Sequence, residues 1–217
     1  NQGAGGSSRM RWRKGMVLFQ VALATVLLAS AGLMGRALWR IRHLDVGIRT
    51  QGVLTAQFEA PVRKLTPGHP EGPYRQFFDD VAARLRAIPG VRTAGIACGM
   101  PLYGRADRQR FWTEGGDAAP FQASQQPVSS DYFQAMGIRI LRGRVFQDWE
   151  TGLCVVTESL ARECWPGQDP LGRRLSLQGK GGPWLTVAAV AQDHRHNDIG
   201  REPVGLILTS FRQEGSS

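Results

Sequence analysis

The chain has only three cysteines, Cys98, Cys154 and Cys164, an odd number with no CxxC spacing, which excludes a disulfide framework and a cysteine-based zinc site. A Cys154–Cys164 bridge stays open for an oxidising compartment, with free thiols packed as small apolar groups as the plainer reading. No serine sits in GxSxG, Gly99 to Gly104 reads GMPLYG rather than GxxxxGK[ST], and no GxGxxG follows a strand-like run. The sequence therefore holds neither a nucleophile elbow nor a phosphate cradle, and any ATP would have to be handled by another polypeptide. Lysine is scarce, 3 against 24 arginines, a bias of coding composition rather than of a binding site. Basic excess is also missing where a nucleic-acid surface would need it. Of the net +9, residues 1–49 hold +7 and the remaining residues only +2, which leaves no nucleic-acid partner in view and points to anionic lipid headgroups instead.

Charge is absent altogether from Met16 to Gly35, MVLFQVALATVLLASAGLMG, where only Gln20, Thr25 and Ser30 interrupt the apolar run. As a helix of about 1.5 Å per residue this stretch is roughly 30 Å long, the thickness of a bilayer's hydrocarbon core. Arg9, Arg11, Arg13 and Lys14 precede it, and Arg36, Arg40 and Arg42 follow, cations placed to reach lipid phosphate from either end. A membrane span with the bilayer as partner is the leading reading. Ala29-Ser30-Ala31 would also serve a cleavable signal peptide, and a buried core helix is the third reading. The flanking charges tie and do not orient the span. Within it, Thr25 with Ala29 and Ala31 with Gly35 are small-xxx-small pairs that could admit neighbouring helices.

Around the span, residues 1–15 read as a basic Gly/Ser-rich linker, 16–35 as the transmembrane helix and 36–49 as a helical stalk. Val53 to Ala60 alternates as a strand. Tyr74, Phe77, Phe78, Val81, Leu85 and Ile88 recur at helical spacing until Pro89-Gly90, and Val91 to Cys98 reads as a strand, which together predict a strand-helix-strand unit with the apolar helix face on a sheet. From Arg108, RQRFWTEGG and FQASQQPVS predict two strands, SSDYFQAMG a short helix closed by Gly137, LCVVT a strand, and ESLARECW a helix. RLSL, WLTVAAVAQ and VGLILTSF predict three further strands, before a polar tail at 213–217.

The densest polar cluster is Asp193-His194-Arg195-His196-Asn197-Asp198. Two histidines at i and i+2 on an extended chain point the same way, and a flanking aspartate could complete a ligand set, so a membrane-anchored or secreted metal-dependent hydrolase using His194 and His196 is an alternative to be tested. No second motif supports it, and no cofactor is indicated. Asp148, Glu150, Glu158 and Glu163 fall on a loop and a polar helix side, where ordinary surface charge accounts for them.

Five stretches in register carry a resemblance: the span and its exit, FQVALATVLLASAGLMGRALWRIRHLDVGIRTQGVLTA; RLRAIPGVRTAGIACGMPLYG; VSSDYFQAMGIRILRGRVF; VTESLARECWPGQDPLGRRL; and WLTVAAVAQDHRH. The chain resembles MacB-like periplasmic core domains attached to FtsX-like permeases of the ABC-transporter type, and in particular the second half of a duplicated permease. The resemblance implies an α+β protein, one N-terminal transmembrane helix followed by a two-lobed mixed α/β extracytoplasmic domain at 50–212, with 50–105 as first lobe, 106–192 as second lobe and 193–212 as an incomplete return to the first. It implies a place in the cytoplasmic membrane with the main domain on the periplasmic side. The implied role is non-enzymatic mechanical coupling, in efflux or mechanotransmission. Implied partners are further permease transmembrane helices, a separate cytoplasmic ATPase and a protein outside the membrane. His194 departs from the pattern, which has an apolar residue there. The pattern also continues beyond a segment like GLILTSFRQ with more strands and spans, so the chain reads as an excerpt or as a permease remnant.

Overall fold

The computed structural model describes residues 6–42, 47–49, 51–57, 72–98, 108–116, 120–194 and 205–212. Two compact units emerge, residues 1–45 and 46–217.

The first unit is a single helix, α1 (Gly6–Arg42), of 37 residues. Its length is about 55 Å, so it overruns the predicted 16–35 span at both ends. Gly6 to Gly15, expected as linker, is helical. Once a long apolar helix exists, each added residue gains a backbone hydrogen bond without a new nucleus, and the Arg, Met and Lys of this stretch are good helix formers. From Trp12 to Arg40, α1 is long and apolar enough to cross a membrane, the one such helix among the described residues. Its two hydroxyls inside the apolar run bond back along the helix, Thr25 Oγ1 to the Val21 carbonyl and Ser30 Oγ to that of Val26, each at 2.8 Å. Neither needs water.

The second unit is built on one mixed sheet. Its strands are β1 (Arg108–Thr113), β2 (Phe121–Val128), β3 (Ile140–Gly143), β4 (Leu153–Thr157), β5 (Arg174–Ser176), β6 (Leu185–Ala191) and β7 (Leu206–Ser210), in the order β3-β6-β4-β7-β2-β1-β5. β5 also pairs with the start of β6, Leu175 opposite Leu185, so six strands close into a ring and β3 hangs on the far end of β6. β4 and β7, at the centre, are apolar or β-branched along almost their whole length, as strands covered on both faces must be. Pro127 is tolerated in β2 because β1 pairs only with Phe121 to Ser124; Pro127 lies past that ladder, where the neighbour opposite β7, Cys98, asks only for its carbonyl.

Alternating residues sort into two cores. Phe111, Cys154, Val156, Leu175, Val187, Val190 and Ile207 pack with Leu160, Ala161 and Trp165 at and just after helix α4 (Glu158–Cys164). On the opposite face Val155, Ala189, Ala191, Leu206 and Leu208 pack with Tyr132, Phe133 and Met136 of α3 (Tyr132–Met136) and with Phe146.

Three expectations change. Strand β7 lies between β4 and β2, so 206–210 joins strands of the middle section, while Phe211 and Arg212 just after it meet the helix α2 (Gly72–Arg86) of the expected first lobe. Val53 to Gln57 carries no ladder among the described residues, and 58–60 lie outside them; Val91 to Cys98 makes one isolated bridge, Ala97 with Val128. The second segment pairs antiparallel with the end of β2 over that one bridge: the Cys98 N–H donates to the Pro127 carbonyl, the Ser129 N–H to the Ile96 carbonyl, and the Ile96 N–H to Ser129 Oγ. Finally, α2 is helical as expected, and its apolar face is partly covered: Ala82 is buried and Phe78 and Val81 half-buried, while Phe77, Leu85 and, just beyond the helix, Ile88 are 38%, 41% and 50% exposed. The side chain of Tyr74 lies outside the described residues. Instead of a sheet, α2 meets the Phe211 ring through Phe78 and two ion pairs, Asp79 with Arg212 at 2.6 Å and Arg86 with Asp131 at 2.5 Å.

Candidate functional site

Residues 47–49 are the first described residues of the second unit and follow the end of α1 by five positions in sequence. They form a strap held at two places. Gly47 has φ +72°, and a Cβ there would lie 2.5 Å from the Asp193 carbonyl oxygen and 2.9 Å from His194 Cα, so this approach is open to glycine alone. Arg49 donates its N–H to the Met136 carbonyl at 2.7 Å. Gly137, which closes α3 with φ 67°, leaves the space that the Arg49 side chain crosses. Between the two, Ile48 packs against the α3-side core.

The segment after β6 carries the other half of the clasp. Gln192 donates its N–H to the Arg139 carbonyl at 2.9 Å and accepts from Arg139 Nε at 2.8 Å. Asp193 Oδ1 accepts both the N–H and the hydroxyl of Ser159, at 2.9 and 2.8 Å, and so satisfies the first turn of α4 from outside the helix. Thr157, at the N-cap position, is otherwise engaged, its Oγ1 accepting the Leu206 N–H at 3.0 Å. Arg162 approaches the other oxygen of Asp193 at 3.7 Å. His194 is 1% exposed. Its Nδ1 lies 3.3 Å from the Gln192 carbonyl, the distance of an N–H donating to it, and its buried Nε2 has no partner among the described residues. Burial holds His194 below the ordinary histidine value, against smaller upward effects of the Gln192 carbonyl and Asp193.

His196 lies outside the described residues, and among those described no group of three or more His, Cys, Asp or Glu could hold a metal. Three of the four carboxylates weighed for acid/base work meet local partners: Asp148 accepts the Ser130 N–H, Glu150 pairs with Arg144, and Glu158 lies 3.9 Å from Arg162. Cys154 and Cys164 are free thiols; burial pushes the Cys154 thiol up, and the Cys164 thiol to about 12, with Glu163 adding to the latter. Thr25, Ala29, Ala31 and Gly35 do not form one stripe. At 100° per residue the pair Thr25/Ala29 and the pair Ala31/Gly35 lie roughly 120° apart around α1. All four are exposed, and a Cβ on Gly35 would meet nothing within 4 Å.

The sequence pattern of the MacB-like periplasmic core domain matches residues 24–214. The chain belongs to this family. Among solved structures it is similar to a domain of a protein described as a permease from Porphyromonas gingivalis, with 24% identity, TM-score 0.45, and coverage of 61% of this chain and 52% of that one. It is also similar to the periplasmic region of MacB from Actinobacillus actinomycetemcomitans (14% identity, TM-score 0.44, 66% of this chain and 62% of that one). A third likeness is to the extracellular domain of the noncanonic ABC-type transporter YknZ from Gram-positive bacteria (14% identity, TM-score 0.45, 62% of each chain). The chain thus spans between half and two thirds of the length of these structures. No curated protein matches it in sequence. A MacB-like periplasmic core domain preceded by one candidate transmembrane helix is the architecture of this chain.

Proposed function

We propose that this chain is the first span and the extracytoplasmic domain of an ABC-type permease, and that it carries conformational change between the bilayer and the outside without catalysing a reaction. The observation that supports this most directly is the double seating of residues 47–49. A displacement arriving at Gly47 meets the Asp193–His194 backbone, and through Asp193 it meets α4; one arriving at Arg49 meets α3. A packed joint of this kind passes on a displacement rather than absorbing it. Further permease spans, a cytoplasmic ATPase and an outer partner protein are the proposed counterparts. In the span, the pairs Thr25/Ala29 and Ala31/Gly35 are proposed to meet two different neighbouring helices, because they face different sides of α1.

Two experiments test the reading. A reporter fused after Thr50 should be active outside the cytoplasm and remain membrane-bound; release in soluble form would mean a cleaved leader and no coupling. In the full permease, a spin label on the exposed Cys98 should report a nucleotide-dependent change that Arg49→Pro, which deletes the donor to Met136, abolishes. An unchanged response would remove the strap from the coupling route.

A further inference from the structure

The coupling reading leaves one buried group unused. His194 is packed into the clasp with Nδ1 committed to the Gln192 carbonyl, so its neutral tautomer carries the proton on Nδ1 and leaves Nε2 bare. A second proton must go on Nε2. There it finds no acceptor among the described residues, and the ring is 1% exposed. Among the described residues, the charged side chains on the segments that meet Gln192 to His194 are Asp193 itself, Arg139 before β3, Glu158 and Arg162 on α4, and Arg49 on the strap. Asp193 favours the imidazolium, but by less than burial disfavours it, and its carboxylate is spent on Ser159 and Arg162. The backbone of His194 is also the surface on which Gly47 rests. Moving the ring to water therefore moves the floor of the strap.

We infer that His194 is a proton-sensitive pin: neutral, it holds residues 47–49 seated on the domain, and protonated, it leaves its pocket and lets the strap lift. Its consequence for signalling rests on the coupling reading above, while the opening itself does not. Histidine is the side chain whose charge changes near neutrality, and an extracytoplasmic surface would meet such acidity from its surroundings. Acidification would then uncouple the span from the domain without unfolding either.

Hydrogen exchange of the strap tests this on the full chain in lipid nanodiscs, in a background with His43, His69 and His196 replaced by Gln so that His194 is the remaining histidine. After correction for intrinsic rates, opening at residues 47–54 should rise about tenfold from pH 7.5 to pH 5.5, the ratio expected for a site that binds a proton with the ordinary histidine value only when open. His194→Gln and His194→Phe should each make the opening independent of pH, with unchanged far-UV circular dichroism reporting an intact fold. A strap equally protected at both pH values, or an unaltered pH response in a folded His194 variant, overturns the pin. That outcome leaves the coupling reading standing. A pH-sensitive strap in a permease indifferent to Arg49→Pro overturns coupling and leaves the pin.

Discussion

Arg49 donates its N–H to the carbonyl of Met136, the last residue of α3, while its side chain passes over Gly137, the next residue along. One hydrogen bond and one missing Cβ thus seat the strap at α3, and a second missing Cβ, at Gly47, seats it at the loop after β6. Three glycines with similar positive φ separate backbone conformation from packing. Gly52→Ala meets nothing within 4 Å and should cost only the left-handed penalty, about 1–2 kcal/mol. Gly137→Ala faces Arg49 Cβ at 3.0 Å, an atom fixed to the strap backbone that needs to give by only a few tenths of an ångström, and should cost somewhat more. Gly47→Ala faces backbone at 2.5 Å, which cannot yield, so its melting temperature should fall furthest of the three. Equal losses for Gly47→Ala and Gly52→Ala would mean that the strap is not seated at Asp193.

Asp193→Ala should loosen α4 rather than the strap alone. It strips the first turn of the acceptor for both the Ser159 N–H and hydroxyl, an exchange that costs about 1–2 kcal/mol at helix N-termini. Ser159→Ala removes one of the two bonds and should cost less. The check is chemical denaturation of both variants beside the parent; a larger loss in Ser159→Ala would refute the capping role.

The contrast between these residues and those flagged by sequence pattern marks what a chain reveals before it folds. Strands β1, β2, β4, β6 and β7 and helices α3 and α4 are legible because each carries its own period and its own stop, such as the glycine at 137. The family is legible for the same reason, since its motifs are local. What failed is non-local. Val91 to Cys98 has the composition of a strand, yet a strand exists only beside a partner, and Ile96 and Cys98 find only the end of β2. The helical face of Phe77, Leu85 and Ile88 is legible as a period but says nothing of whether a sheet covers it. Gly47 and Arg49 carried no signal, because what makes them matter is 146 residues further on in one case and the end of α3 in the other. His194 was visible as a histidine but read as half of a pair; its burial is a property of the packed segments around it, the strap at Gly47 among them.

The turn that displays Trp149 should resist acid to an unusual degree. Glu150 takes Arg144 at 2.7 Å through both its oxygens and also accepts the Gln147 N–H, and these bonds, the arginine's first, pull its carboxyl down to about 2. A carboxylate depressed in the folded state adds stability that is fully present above its ordinary value of 4.5 and lost as pH falls through about 2. Trp149 is 73% exposed, so its emission, taken as the difference between parent and Trp149→Phe, should hold steady from neutrality to about pH 3 and change only towards pH 2. Glu150→Gln should show the loosened state, read as lower anisotropy of that emission, already at neutral pH. A transition near pH 4.5 in the parent would show that Arg144 does not hold the turn.

Gln126 and Tyr132 offer a test of the core. Both are buried, Gln126 in β2 and Tyr132 on α3, and the amide of Gln126 and the hydroxyl of Tyr132 have no hydrogen-bond partner among the described residues within bonding distance. Burial pushes the Tyr132 hydroxyl up to about 12, with the nearby Gln126 amide opposing the shift, so the phenol stays protonated throughout the physiological range. A buried polar atom that makes no bond has lost its water and received nothing in return, a cost of about 1–3 kcal/mol for each group. Removing it without changing shape should then recover part of that cost. Tyr132→Phe keeps the ring that meets Phe133 edge-on at 6.1 Å between centroids and should leave stability unchanged or raise it by about 1 kcal/mol. Gln126→Met, of similar length and without polar atoms, should do the same. The double variant measures the coupling between the two neighbours: additive effects mean that each stands unbonded, and a departure from additivity means that the Gln126 amide and the Tyr132 hydroxyl interact. Urea unfolding of the three variants decides the matter: a loss above about 1 kcal/mol in either single variant, restored in the double, would reveal a polar contact between them that the folded structure does use.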